Sequence, residues 1–254
     1  MKIYSLSSLT LLLSTTLLLS LSPRSIASEC KASSALLSAY YDFNHKTLSS
    51  SQDSTKVSNK VSNKIENTHK FELHRNNNSV IQRNNSQGID DIWSLNGTRL
   101  SLNRAFEQYK HTIEYQSNEL RFKPRWQDIS QLVVTPELDE MQLVAEKKSG
   151  CLLEQHYTLK TQQSEYQLVW LPKLKLVKFF ELKNASSTQQ WALTDYQTNA
   201  EKITSLFNKY DSYQSTDYAD VGDNESIPFL AAMINQGFST AQNTQATHNH
   251  HGAH

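Results

Sequence analysis

The fold class is decided by residues 142–196, which read QLVAEKKSGCLLEQHYTLKTQQSEYQLVWLPKLKLVKFFELKNASSTQQWALTDY. Five runs with the composition of β-strands are separated there by short polar turns: Gln142 to Glu146, Leu152 to Leu159, Tyr166 to Leu171, Leu174 to Leu182 and Trp191 to Tyr196. Short connections predict antiparallel neighbours, because a parallel return needs a crossover of about a dozen residues. The stretch therefore predicts a β-meander.

The chain before this meander also alternates with the period of a strand. Apolar residues recur at every second position around Phe71 and Leu73, Val80 and Ile81, Leu100 and Leu102, and from His111 to Tyr115. Asn96-Gly97 is a hairpin turn signal between two of these runs. Pro124 to Val133 has helical spacing, which predicts a short helix between the two groups of strands.

Three longer helices are predicted at the two ends of the chain. Cys30 to Thr47 carries Leu36, Leu37, Tyr40 and Phe43 at three- and four-residue steps, which favours an amphipathic helix. Helical patterns follow Asn199 and Ser226, the second ending at Gly237. The predicted fold is α+β: a curved antiparallel sheet, a meander that can form a half-barrel, with an N-terminal helix and C-terminal helices packed on it.

The N-terminal residues predict export. Residues 1–27 contain Lys2, a Leu-rich run and Ser25-Ile26-Ala27, a small-x-small pattern that favours cleavage after Ala27. We therefore expect a periplasmic or secreted protein with no membrane span in the mature chain. In an oxidising compartment the two cysteines, Cys30 and Cys151, predict a disulfide that joins the N-terminal helix to the sheet, worth at most about 4–5 kcal/mol.

Two polar segments are set apart from a single domain over residues 28–237. Residues 49–67 carry few apolar side chains, and we expect a flexible insertion there. Residues 238–254 are rich in Gln, Asn, Thr and His and predict a disordered tail.

Composition excludes two classes of protein. The chain of 254 residues has 25 basic and 25 acidic residues, which supply no basic field for a nucleic acid backbone. Only six glycines are present, and no Gly-rich phosphate-binding loop occurs.

The tail offers ligands for a transition metal. It ends in His248-Asn249-His250-His251-Gly252-Ala253-His254, four imidazoles in seven residues without apolar partners. Neutral imidazole binds Cu(II), Ni(II) and Zn(II), and a flexible peptide can wrap several nitrogens around one ion. A purification tag and a solvated tail without a role are the alternatives.

An acidic loop offers oxygen ligands for a hard cation such as Ca²⁺. Asp217, Asp220 and Asp223 lie between Asp211 and Glu225, although the spacing is not that of an EF-hand. Acids before a helix also stabilise its positive N-terminal end, and this interpretation is preferred. A mixed site with the tail histidines is a further hypothesis.

Three functional hypotheses follow. The leading one is a periplasmic, non-enzymatic binding or accessory protein whose His-rich tail binds a transition metal. The rival is a periplasmic carrier of hydrophobic cargo, such as lipid or lipoprotein acyl chains, held in a sheet groove lined by residues such as Phe106, Leu168, Val169 or Phe179; its basis is analogy with exported half-barrel carriers. A hydrolase is the least favoured, because no GxSxG, HExxH or SxxK motif occurs. The sequence identifies no protein partner.

Overall fold

The structure is a computed structural model that describes residues 33–47, 68–120, 123–224 and 226–231. Twelve strands fall in these ranges: β1 Leu36–Thr47, β2 His69–Asn76, β3 Ser79–Asn84, β4 Ile89–Asn96, β5 Arg99–Phe106, β6 His111–Tyr115, β7 Gln142–Ser149, β8 Leu152–Lys160, β9 Ser164–Leu171, β10 Leu176–Asn184, β11 Ser187–Gln197 and β12 Gln214–Asp217. The α-helices are α1 Trp126–Ile129 and α2 Ala200–Asn208.

All twelve described strands belong to one curved, unclosed sheet, which confirms the predicted curved antiparallel sheet. The strand order is β12-β6-β5-β4-β3-β2-β1-β11-β10-β9-β8-β7. Two meanders, β2 to β6 and β7 to β11, are joined by β1, which pairs antiparallel with β2 on one side and β11 on the other. β12 alone is parallel to its neighbour, β6. The unpaired edges of the described sheet are therefore β12 and β7.

The predicted N-terminal helix is wrong, because residues 36–47 form strand β1 at the centre of the sheet. Helical spacing arose by coincidence, since this strand buries side chains on both faces. Leu37, Ala39 and Tyr41 point to one face, while Ser38 lies on the other, and all four are at most 2% exposed. A strand covered on both sides loses the simple alternation that identifies half-buried strands.

The main core lies on the concave face, which we call the inner face. Buried apolar side chains from β1 to β6 and β8 to β10 form a single cluster with the loops that pack on it. Neighbouring strands are about 4.8 Å apart, so side chains from strands this distant converge only where the sheet curves toward itself. Tyr41 illustrates the curvature, because its hydroxyl reaches across β11 and donates to the carbonyl of Val177 at 2.9 Å.

The connection from β6 to β7 crosses the inner face, and its described parts are residues 116–120 and 123–141. β6 is next to one edge of the sheet and β7 forms the other edge, so the connection must traverse the molecule. It contains α1, which confirms the predicted short helix, and it buries Ile129 and Val133 in the inner core. We call this connection the strap.

Two side chains of the sheet, one buried and one half-buried, hold the strap in place. Arg75 of β2 donates to the carbonyl of Ser130 at 2.5 Å and also to Leu174 and Lys175 of the β9–β10 turn, each at 2.8 Å. Gln82 of β3 donates to the carbonyl of Ile129 at 2.7 Å. Each donor satisfies loop carbonyls that burial removes from water.

The convex or outer face is covered by α2. Asn199 caps this helix, as predicted, and accepts a hydrogen bond from the Lys202 amide at 3.0 Å. Phe207, the 3-10 turn Lys209–Ser212 and Tyr213 pack on Ile81 and Ala105 in a second, smaller core. The two described α-helices thus lie on opposite faces of the sheet.

The last described residues return to the inner face. Tyr218 stacks on Tyr115 with ring centroids 4.7 Å apart, and Phe229 packs 4.8 Å from Phe106. Residues 228–231 begin the predicted second helix, and its remainder to Gly237 lies outside the described residues. Among the described helices, none is long and apolar enough to cross a membrane.

Candidate functional site

The predicted metal ligands are not brought together by the described residues. Asp217, Asp220 and Asp223 are exposed around the 3-10 helix Tyr218–Asp223, and no described group of three or more His, Cys, Asp or Glu side chains is placed to hold a metal. His248, His250, His251 and His254 lie outside the described ranges. Metal binding by the tail therefore stays a prediction.

The predicted disulfide falls partly outside the described residues. Cys151 sits in the β7–β8 turn and is disulfide-bonded. Cys30 and the predicted signal peptide lie before the first described residue, as the predicted insertion lies between β1 and β2. The pairing of Cys151 with Cys30 stays a prediction.

A row of apolar side chains crosses the inner face near the C-terminal end of β1. Register aligns Tyr157 of β8, Leu168 of β9, Phe180 of β10, Trp191 of β11 and Phe43 of β1 in neighbouring positions. The next register position toward the sheet end aligns Leu159, Tyr166 and Leu182. Because side chains two residues apart share a face, these residues form one surface.

Aromatic rings give this surface its shape. The Trp191 ring lies 4.6 Å from the ring of Phe43 and 4.9 Å from that of Phe71, while Tyr166 lies 6.4 Å from Phe180. Tilted and edge contacts at these distances are favourable packing geometries for aromatic rings. We call the half-buried members of this surface the aromatic band: Phe43, Phe71, Tyr157, Leu159, Tyr166, Leu182 and Trp191.

Exposure separates the band from the rest of the inner face. Toward the other end of the strands, Leu37, Leu174 and Leu176 are fully buried beneath the strap and the β9–β10 turn. The band residues are only partly buried, so the described residues leave this part of the inner face uncovered. Such a surface can bind an apolar chain, because each methylene group removed from water contributes about 0.8 kcal/mol of favourable free energy.

The groove residues predicted from sequence divide between the two faces. Phe106 and Leu168 are buried in the inner core. Val169 and Phe179 pair with each other across β9 and β10 on the outer face, one position away from the Leu168–Phe180 pair that faces inward. Sequence reasoning missed Phe43 and Phe71 as band residues, because β1 was assigned to a helix and its partners were therefore unknown.

On the outer face, a serine, a histidine and a glutamate are linked to one another by hydrogen bonds. His74 Nδ1 lies 2.8 Å from Ser38 Oγ, and His74 Nε2 lies 3.1 Å from Glu72 Oε2. The order is that of a hydrolase triad, but Ser38 is 2% and His74 1% exposed, and neither lines either of the clefts described below. A substrate cannot reach Ser38 in this arrangement, so the triplet is part of the packing.

The triplet continues into a larger polar network. Arg83 bridges Glu72 and Asp90, with Nε donating to Asp90 at 2.7 Å. The hydroxyl of Tyr210 donates to Asp90 at 2.5 Å and so ties the turn after α2 to the sheet. The hydrogen bond from His74 lowers the pKa of the Glu72 carboxyl to about 2, although the partial burial of this carboxyl acts in the opposite direction. The carboxylate is therefore charged at neutral pH.

Two of the clefts among the described residues flank elements of the sheet already introduced. The smaller, about 180 Å³, lies beside the strap and the β4–β5 hairpin, next to Leu100 and Trp126. The larger, about 370 Å³, lies on the outer face between β3 to β6, β12 and the end of α2. We call it the outer cleft, and it is lined by Ser79, Ile92, Ser94, Asn103, Thr112, Glu114, Phe207, Asn208, Tyr210, Asp211, Tyr213 and Ser215.

Comparison with known proteins finds similarity only among solved structures. No family model and no curated protein matches the sequence. A LolA superfamily protein from Nitrosomonas europaea is 9% identical, with 70% of this chain and 93% of that chain covered and a TM-score of 0.29. Lipoprotein LppX from Mycobacterium tuberculosis is 10% identical, with 65% and 90% covered and a TM-score of 0.26. PNGF-II is 12% identical, with 74% of this chain but 33% of that chain covered and a TM-score of 0.33.

Proposed function

We propose that this chain is an exported carrier that holds the acyl chain of a lipid or lipoprotein against its aromatic band. The observation that carries the proposal is the continuity of half-exposed apolar side chains over β8 to β11, β1 and β2 on the inner face. Buried apolar surface is the main source of affinity for a ligand with few polar groups. Export is part of the proposal because the pattern of residues 1–27 predicts a signal peptide, and no catalytic step is part of it.

The band favours capture and release over permanent burial. Leu182 and Tyr166 are half-buried and lie in the row of the band nearest the end of the sheet, where an acyl chain can enter from solvent. The strap, by contrast, is anchored by Arg75 and Gln82 and fills the other end of the inner face. A bound chain would therefore occupy the rim of the concavity.

Fluorescent fatty-acid binding tests the proposal. With 11-(dansylamino)undecanoic acid as probe and the mature chain, we expect saturable emission enhancement and energy transfer from Trp191. Leu182→Gln should weaken binding roughly tenfold, because a polar amide then faces the acyl chain. Val144→Gln is the matched control, since Val144 is 53% exposed on the edge strand β7 and outside the band.

The result must distinguish the band from nonspecific adsorption. Circular dichroism melting curves of both variants establish that each is folded. Equal affinities for wild type, Leu182→Gln and Val144→Gln would exclude the aromatic band as the binding surface.

The His-rich tail supports a second, independent proposal, that residues 248–254 bind Cu(II), Ni(II) or Zn(II). Calorimetric titration of the untagged mature chain beside a version ending at Thr247 tests it. Micromolar or tighter binding that disappears with the tail supports metal handling; identical weak titrations remove it and leave the carrier proposal unaffected.

A further inference from the structure

The outer cleft is separated from the aromatic band by the sheet itself. Its floor is formed by side chains of β4 to β6 that alternate with inner-face residues: Asn103 is flanked by Leu102 and Arg104, and it pairs in register with Glu114. The end of α2 and the turn after it form the wall. A ligand in this cleft therefore cannot contact the acyl-chain surface.

The floor presents two adjacent polar groups without a partner. Asn103 and Glu114 are half-buried neighbours, and within the described ranges neither side chain makes a hydrogen bond or an ion pair. A carboxylate offers two acceptor oxygens, and an amide offers both an acceptor and two donors. The adjacent Glu114 carboxylate and Asn103 amide can therefore hydrogen-bond two neighbouring ligand groups that each donate and accept. The two hydroxyls of a vicinal diol are such groups.

The wall presents rings that are already held in place. The Tyr213 hydroxyl donates to Glu107 at 2.6 Å, and the Tyr210 hydroxyl is used by Asp90. The two rings meet edge to face with centroids 5.3 Å apart, and Phe207 packs with them. Both tyrosine hydroxyls are thus already hydrogen-bonded to other side chains. This wall therefore presents rigid apolar ring surface to the cleft.

Charge narrows the class of ligand. Glu114 and Asp211 line the cleft, and no Lys or Arg is among its lining residues, so the acidic side chains that face an anionic ligand directly repel it. Organic cations are disfavoured for another reason. Lys110 lies 5.2 Å from the ring centre of Tyr213, and Lys209 lies 5.4 Å from that of Tyr210, so ammonium groups already stand beside these rings.

We propose that the outer cleft binds a neutral sugar ring. Glu114 and Asn103 hydrogen-bond adjacent hydroxyls, and the ring's apolar C–H face packs on Phe207 and Tyr213. A volume of about 370 Å³ is sufficient for one or two such rings. The site is independent of the carrier proposal, because it lies on the opposite face of the sheet.

Saturation-transfer NMR on the full mature chain tests this assignment. The probes are glucose, galactose, mannose, N-acetylglucosamine and the corresponding β-linked disaccharides, with glucuronate and choline as charged comparisons. We expect transfer to ring C–H protons of at least one neutral sugar, with a millimolar or tighter dissociation constant. Glucuronate should bind at least fivefold more weakly than glucose, because Glu114 and Asp211 repel its carboxylate.

Variants distinguish the cleft from other surfaces. Glu114→Ala and Asn103→Ala should each raise the dissociation constant about tenfold, with amide shifts lost around β5 and β6. Glu146→Ala on β7 is the matched control and should leave sugar binding unchanged. Amide shifts of unliganded variants establish that each is folded. Absence of transfer to every neutral sugar, or preferential binding of choline or glucuronate, would overturn the proposal.

Discussion

At the scale of residues, stability depends on a few buried polar groups whose partners are distant in sequence. Glu72 accepts hydrogen bonds from His74, Arg83 and Asn85 and so connects β2 to β3 and to the β3–β4 turn on the outer face. Its side chain is 17% exposed, which leaves its charge partly shielded from water. A carboxylate held in this way stabilises the fold only while it remains ionised.

We therefore expect the fold to lose the contribution of Glu72 to stability when this carboxylate is protonated in acid. Its pKa is lowered to about 2 in the folded chain from the ordinary value of 4.5. Because the folded pKa is the lower one, its contribution is complete above pH 4.5 and is lost as the pH falls toward 2. We expect Glu72→Gln to cost about 1–3 kcal/mol at pH 7 and much less at pH 2.5, measured by urea unfolding.

Glu165→Gln supplies the surface comparison for that experiment. Glu165 pairs with Lys160 on exposed strand ends, where solvent screens the ion pair and leaves its contribution to stability small. A cost for Glu72→Gln that does not change between pH 7 and pH 2.5 would contradict the assignment of the effect to ionisation.

At the scale of elements, the strap depends on one side chain of the sheet. Arg75 is 4% exposed and donates to carbonyls of the strap and of the β9–β10 turn. Burial lowers its pKa to about 10, so it stays charged at neutral pH. Replacing it leaves several buried carbonyls without donors, each costing about 1–3 kcal/mol.

We expect Arg75→Met to cost about 3–5 kcal/mol in urea unfolding and to expose the strap to proteolysis near Ser130. Arg99→Met, at an exposed position at the start of β5, should change unfolding by less than about 0.5 kcal/mol. Unchanged protease resistance in Arg75→Met would show that the strap is held by its apolar side chains alone.

The cap of α2 gives a milder effect. Asn199→Ala removes the acceptor for the Lys202 amide and should cost about 1 kcal/mol, whereas Asn199→Asp should retain nearly all of the stability. Equal unfolding midpoints for Asn199→Ala and Asn199→Asp would show that the cap hydrogen bond does not stabilise α2.

The success of sequence reasoning also differs between elements. β7 to β11 were predicted because each is bounded by short polar turns. β1 was missed because both of its faces are buried, and β12 because four residues, Gln214–Asp217, are too few for a periodic pattern. The band and the outer cleft join residues far apart in the chain, such as Phe43 with Trp191, and only the register reveals them.

At the scale of the whole molecule, the predicted disulfide would connect the segment before β1 to the β7–β8 turn at an outer edge of the sheet. If Cys151 pairs with Cys30, we expect Cys151→Ser to cost about 2–4 kcal/mol and to free one thiol at Cys30. Thiol titration in denaturant and a non-reducing peptide map measure this. A peptide map without the Cys30–Cys151 link would contradict the pairing.

The position of β1 between β2 and β11 has a consequence for how the chain folds. Ser38 pairs with Gln197 and Thr47 with Ser187, so the seam between the two meanders joins residues about 150 positions apart. Each meander can form from neighbouring hairpins, but the seam closes only after β11 is available, and closing so long a loop is slow. Until then the two half-sheets are separate units with unpaired edges, and the last step of folding is also the step that creates the concavity.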